Sequence, residues 1–370
     1  MLCDKLGKNI TKLKKGGKKM ATIKKRETEL DILRLLALLS VITFHICSGT
    51  MRVIPSNSFN YIVMNSLFSM ITWGVPIFVM ISGGLFLNPK REITINKLFT
   101  KYIKRFVVAF SFWTIIYQIF YYANAMFTGG NTLNWKGYLY EAIKGPYHMW
   151  YLYMVIGLYV MTPILRKITE NKSITEYLIV VFLIFSILQN YGVNMPVIGN
   201  LILSIMTKLS LPLGATYIGY FILGFYLKNF DIPRKLEYAL YILTVLLLIF
   251  NCLVFSVPAL KTISEIWPVK YLMPNIIVES AGIYTFFVKR VSKIKFRERT
   301  IKIFTKLTEY SFGVYLVHAL INALIGLTDW IPVSTSPFLR VPLLTIVIYG
   351  ISLLVTIVIR KIPLIGKNIT

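Results

Sequence analysis

Acidic residues are scarce in this chain. Its 370 residues include 15 Asp and Glu against 41 Lys and Arg, and charged residues of all kinds make up only 15%. A soluble globular chain carries roughly a quarter charged residues and is about 45–50% apolar. This one is 56% hydrophobic, with a mean hydropathy of +0.66, which excludes an ordinary soluble fold. Cysteine is scarce too: Cys3, Cys47 and Cys252 show no metal-ligand spacing and no disulfide framework. Ile46 and His45 precede Cys47, so the small-residue cleavage site of a lipoprotein signal is missing and the first apolar run reads as retained. Histidine occurs only as His45, His148 and His318, without a His-x-x-x-His or carboxylate cluster, so no metal site is expected. Neither half of the chain repeats the other, which argues against a two-repeat transporter.

What is present is a series of apolar runs separated by short basic segments. A helix needs about 20 apolar residues to cross a bilayer core. The runs predict an all-α, polytopic transmembrane bundle of about ten spans, at 30–49, 60–87, 106–127, 149–165, 175–192, 211–228, 238–257, 271–289, 308–327 and 338–359. The second is long enough to tilt or break at Gly74-Val75-Pro76, and 193–210 reads as interfacial or re-entrant. Residues 1–29 form a Lys-rich tail expected to be disordered or to lie on anionic lipid headgroups. With both termini in the cytoplasm, 33 of the Lys and Arg fall on inside segments and 7 on outside ones, as the positive-inside rule requires. An odd number of spans would place the basic 361–370 tail outside. The high net charge therefore points to membrane lipids and not to nucleic acid.

An ionisable side chain at mid-helix costs about 2.5–3.5 kcal/mol on insertion scales, so each one marks a candidate for function. The first span opens Glu29-Leu30-Asp31-Ile32-Leu33-Arg34 and runs apolar to Phe44-His45. Arg34 and His45 are three turns plus about 20° apart, so they project from one helix face about 16 Å apart along the axis. The plain alternative is a snorkelling arginine and a hydrogen-bonded core histidine. His148 opens the fourth span as His148-Met149-Trp150-Tyr151-Leu152, and Ser311, Tyr315 and His318 share one face of the ninth. Alone, each histidine reads equally well as a structural group; three in one bundle beside aromatic and small residues predict a shared polar cavity. Glu279, in the eighth span, is placed to orient a histidine or to balance Arg34 or Arg105, with a structural role favoured. Ser82-Gly83-Gly84 ends the second span, where small residues allow close helix packing or let backbone approach a ligand. Lys97, Lys101, Lys104 and Arg105 follow, either as positive-inside charge or as a clamp for a phosphate-rich ligand.

Taken together these residues resemble the acyltransferase-3 family of integral membrane O-acyltransferases, over roughly residues 26–360. The Arg-x10-His spacing is Arg34 and His45; Phe-x-x-x-Ser-Gly is Phe78, Ser82 and Gly83. His-x-Trp-Tyr-Leu is His148, Trp150, Tyr151 and Leu152, and Ser-x-Gly-x-Tyr-Leu-x-His is Ser311, Gly313, Tyr315, Leu316 and His318. The order of these motifs is most similar to stand-alone members that acylate bacterial surface sugars. One position departs: many members carry two arginines three residues apart at the third span, whereas here Arg105 is preceded by Tyr102. Lys101 and Lys104 are the nearby substitutes, without the planar fork of arginine.

The resemblance implies a multi-pass enzyme of the bacterial plasma membrane, with residues 30–360 as the acyltransferase domain. It would move an acyl group, acetyl as the expected one, from cytoplasmic acyl-CoA to a hydroxyl of a surface or lipid-linked glycan. Acetyl-CoA would be a co-substrate and no cofactor would be permanently bound. His45 would be the general base, with Asp31 orienting Arg34. Arg34, Lys101, Lys104 and Arg105 would hold the CoA phosphates, and Ser82, His148, Trp150, Tyr151, Glu279, Tyr315 and His318 would line the substrate cavity. Glycan-assembly enzymes or further copies of the chain are the expected partners. The rival classes are a glycan or lipid flippase, and a sensor or structural subunit that would need none of the histidines.

Overall fold

The computed structural model describes residues 27–130, 134–195, 198–209, 216–260, 262–263, 267, 269–328, 330–363 and 366–370. The expected tail over 1–26 lies outside the described residues. The chain is 82% helical, with no strand among the described residues. α1 spans Thr28–Met51, α2 Phe59–Ile71 and α3 Gly74–Phe86. A π-helical stretch, Leu98–Ile103, leads into α4, Lys104–Thr128. There follow α5 Trp135–Lys144, α6 Trp150–Thr169, α7 Lys172–Asn190, α8 Gly199–Leu209 and α9 Tyr217–Asn229. The chain closes with α10 Arg234–Ser256, α11 Pro274–Lys289, α12 Glu298–Gly326, α13 Pro337–Arg360 and the short α14 Gly366–Ile369.

A helix lies at each expected span, and seven segments are long and apolar enough to cross a membrane on their own. The other three explain themselves. α9 and α11 have 13 and 16 residues and are mostly buried among their neighbours, and the apolar part of α12 is interrupted by Glu309, His318 and Asn322. The long second span breaks at Thr72-Trp73, just ahead of the expected point, so Pro76 falls in the first turn of α3. There its missing N–H removes no helical bond. α8 runs for 11 described residues and exposes Leu201, Leu203, Ile205 and Leu209, a face suited to an interface.

α1 is the centre of the bundle, packing on α2, α3, α11, α12 and α13. Its two sides feed two apolar cores: Leu30, Leu33 and Ala37 pack with α3, α6 and α9, whereas Leu38, Ile42, Ile46 and Cys47 pack with α4, α12 and α13. Glu29 and Asp31 in its first turn complement the helix dipole. The closest crossing is α3 on α9. A Cβ on Gly83 would sit 1.8 Å from the Phe221 carbonyl oxygen, and one on Gly224 would sit 2.2 Å from that of Met80. Only glycine lets two backbones approach so far.

Antiparallel packing gathers the basic segments at one end of the bundle. Lys228 there pairs with Glu27 at 2.7 Å, and Arg290 pairs with Glu237 at 2.7 Å. Arg166 donates to the carbonyls of Phe86, Asn88 and Arg91, which holds the loop after α3 in place.

Candidate active site

At this basic end a cavity of about 440 Å³ opens between α1, α3, α6 and α12, within the usual size range of a small-molecule site. Its walls hold Arg34, Arg91, Arg105 and Arg360, together with Ser82, Tyr102, Tyr159, Glu309 and Ser311. Arg34 stands 3.8 Å from the Asp31 carboxylate one turn earlier. The other three have no Asp or Glu side chain within ion-pair distance among the described residues. Arg91 lies 5.1 Å over the Phe86 ring and Arg105 lies 5.2 Å over that of Phe312. Arg105 Nη2 donates to the Thr370 backbone oxygen at 2.6 Å, and Trp113 Nε1 donates to that of Ile369 at 2.7 Å, so α14 is folded against α4. Arg360 Nη1 donates to the Glu309 backbone oxygen at 3.0 Å, while its Nε is buried without a partner among the described residues.

The cavity runs inward past Val41 and Phe78 and stops at Tyr151 and Tyr315, whose rings meet at 5.5 Å. Behind this pair sit all three histidines. The ring of His318 lies 5.3 Å from that of His45 and 5.3 Å from that of His148. Tyr315 touches both sides of the partition: it lines the cavity, and its hydroxyl donates to the His148 carbonyl at 2.5 Å. His318 Nδ1 is 2.6 Å from the Tyr315 carbonyl oxygen. His318 is 0% and His148 2% exposed. His318 Nε2 and both ring nitrogens of His148 lack hydrogen-bond partners among the described residues. His45 is less enclosed and stands edge-on to Tyr147 at 5.1 Å.

Beyond His45 the wall is aromatic. Phe44 stacks on Tyr271 at 5.9 Å, Tyr271 meets Trp150 at 5.7 Å, and Trp150 meets Tyr217 at 5.5 Å. Glu279 lies in a different place. It accepts from Asn251 Nδ2 at 2.5 Å, and Asn251 in turn accepts from Trp267 Nε1 at 2.8 Å. Among the described residues nothing in this network touches a histidine or an arginine, and Glu279 lies between α10 and α11, outside the cavity.

The fold thus brings Arg34, Arg105, Ser82, Tyr151 and Tyr315 to one cavity, and His45, His148 and His318 to one cluster behind it. Trp150 stands on the aromatic wall. Lys101 and Lys104 are exposed and do not line the cavity. They sit at and just after the π-helical stretch, whose i→i+5 bonding turns each residue by less than an α-helix does. Tyr102 lines the cavity instead. Arg91 and Arg360, which no motif marked, supply the cavity's further cations. No curated protein and no solved structure matches the chain. Residues 27–359, from the first turn of α1 to the last of α13, match the family described as an acyltransferase domain. The chain therefore belongs to the acyltransferase-3 family of membrane acyltransferases.

Proposed function

We propose that this acyltransferase takes its acyl group, acetyl as the expected one, from cytoplasmic acyl-CoA and passes it to a hydroxyl of a surface or lipid-linked glycan. The observation that carries the reading is the set of cavity arginines, Arg91, Arg105 and Arg360, without Asp or Glu partners among the described residues. Guanidiniums held together in a half-buried wall repel one another unless an anion joins them, and their planar fork suits phosphate. The positive-inside rule assigns the basic end to the cytoplasm, where a CoA thioester would be met. The thin pantetheine arm would follow the cavity toward Tyr151 and Tyr315, with the phosphates left at Arg34, Arg91, Arg105 and Arg360.

On the far side of that pair, the stacked rings of Phe44, Trp150, Tyr217 and Tyr271 offer flat apolar faces suited to a sugar ring. In the reaction His45 takes the proton of the acceptor hydroxyl while its oxygen bonds to the thioester carbonyl carbon. Collapse of the tetrahedral adduct breaks the C–S bond, and the leaving CoA sulfur recovers the proton from the imidazolium. An imidazole suits both transfers near neutral pH.

The test is incubation of purified protein with radiolabelled acetyl-CoA and a lipid-linked or soluble glycan acceptor. Label should appear as base-labile ester on the acceptor. Glycan translocation by reconstituted protein with no acyl transfer would replace this reading with that of a flippase.

A further inference from the structure

A general-base histidine needs a partner to decide which of its ring nitrogens is bare. In the serine-hydrolase arrangement that partner is a carboxylate. Among the described residues no carboxylate is hydrogen-bonded to His45, His148 or His318, and Glu279 is engaged by Asn251. The neighbour that remains is His318, whose own state is readable from its contacts. A carbonyl oxygen only accepts, so the 2.6 Å contact with the Tyr315 oxygen requires a proton on His318 Nδ1. In a neutral imidazole the other nitrogen then carries a lone pair. That nitrogen, Nε2, is buried and accepts from nothing among the described residues. His45 likewise forms no hydrogen bond among the described residues, and its ring centre is 5.3 Å away. An N–H···N bond of about 3 Å between two imidazoles places their centres at about that separation. The structure shows no bond between the two rings, and a turn of the His45 ring toward Nε2 would form one.

We propose that His318 is the positioning residue for His45: its bare Nε2 accepts one His45 N–H and so leaves the opposite His45 nitrogen as the proton acceptor. This rests on reading His45 as the general base. An imidazole serves here where a carboxylate would bring a formal charge into the membrane interior. His148, at the same distance from His318, is the competing donor, and it differs by standing at 80° to that ring where His45 stands at 33°.

The chain has only three histidines, so protein labelled with [15N]histidine and reconstituted in lipid bilayers gives a spectrum with six ring nitrogens, in which protonated and bare nitrogens resonate apart. His45 should show one tautomer in the wild type and a mixture of both in His318→Leu. His318→Gln, whose amide oxygen accepts at the same place, should restore the single tautomer. In the transfer assay His318→Leu should lower kcat about tenfold or more, the worth of one hydrogen bond, with KM for donor and acceptor unchanged, and His318→Gln should return to within about threefold of wild type. A His45 signal unaltered by His318→Leu overturns the proposal. So does a His45 tautomer that responds to His148→Leu and not to His318→Leu, or a His318→Gln protein no more active than His318→Leu. If the wild type transfers nothing from acetyl-CoA, the donor reading fails, while the spectra still decide whether His318 sets the His45 tautomer.

Discussion

At the Arg34 end of α1, four guanidiniums surround an open cavity, and three of them lack an Asp or Glu partner among the described residues. Toward the other end of the same helix, His45 stands among two further imidazoles and a wall of aromatic rings. One region is charged and open to the basic face; the other is closed and built from polar groups without formal pairing. The difference matches what each would have to hold. A polyanionic donor is gripped by fixed cations, whereas a hydroxyl about to lose a proton needs a base that is not already occupied. Excess cation costs little at the mouth, where water and lipid headgroups lie close, and costs far more at mid-membrane.

The sharpest way to break this contrast is at His45. General-base catalysis is worth about 10²–10⁴-fold, so His45→Ala should lose at least that much transfer while binding acetyl-CoA as well as the wild type. Asn in its place can hydrogen-bond but takes no proton, and His45→Asn should be nearly as poor; an active His45→Asn enzyme would show the residue to be structural. At the other end the reverse pattern is expected. Arg34→Ala and Arg105→Ala should each weaken donor binding by about 1.5–3 kcal/mol, the range for a hydrogen bond to a charged group, as measured by calorimetry on detergent-solubilised protein. Unchanged affinity in both variants would remove the donor from this cavity.

The smallest effect sharpens the comparison through packing alone. Gly83 lies in the α3–α9 crossing beside the cavity, and Gly83→Ala should destabilise by about 1–3 kcal/mol through overpacking. Gly49, near the opposite end of α1, has open space where a Cβ would go. Gly49→Ala should be neutral or gain up to about 1 kcal/mol from helix propensity. Thermal unfolding in one detergent reads both, and equal losses would mean that the glycine contact does not hold the cavity wall.

The bundle was legible because lipid imposes a length and a polarity on every span, and hydropathy reports both. Helices that are mostly enclosed by other helices, α9 and α11, are shorter than that rule expects, since their surroundings are protein. The first span placed Arg34 and His45 on one face from spacing alone, and the structure sets one in the cavity and the other in the cluster behind it. Residues joined only by tertiary contact were not legible. Arg91 comes from a loop held by Arg166, and Arg360 from the last turn of α13. In the sequence both read as ordinary positive-inside charge. Lys101 and Lys104 lie close to Arg105 in sequence, but at and just after the π-helical stretch both stand exposed, outside the cavity.

Tyr151 and Tyr315 bear on the cell's energy store. A polar cavity open at one face comes within one layer of side chains of the imidazoles at mid-bundle. Each elementary charge that crosses a 100 mV potential dissipates about 2.3 kcal/mol. The two rings, with Tyr315 tied to the His148 carbonyl, therefore act as insulation as well as a wall, standing between the cavity and the imidazoles. Trimming either tyrosine would thin that barrier to a single ring.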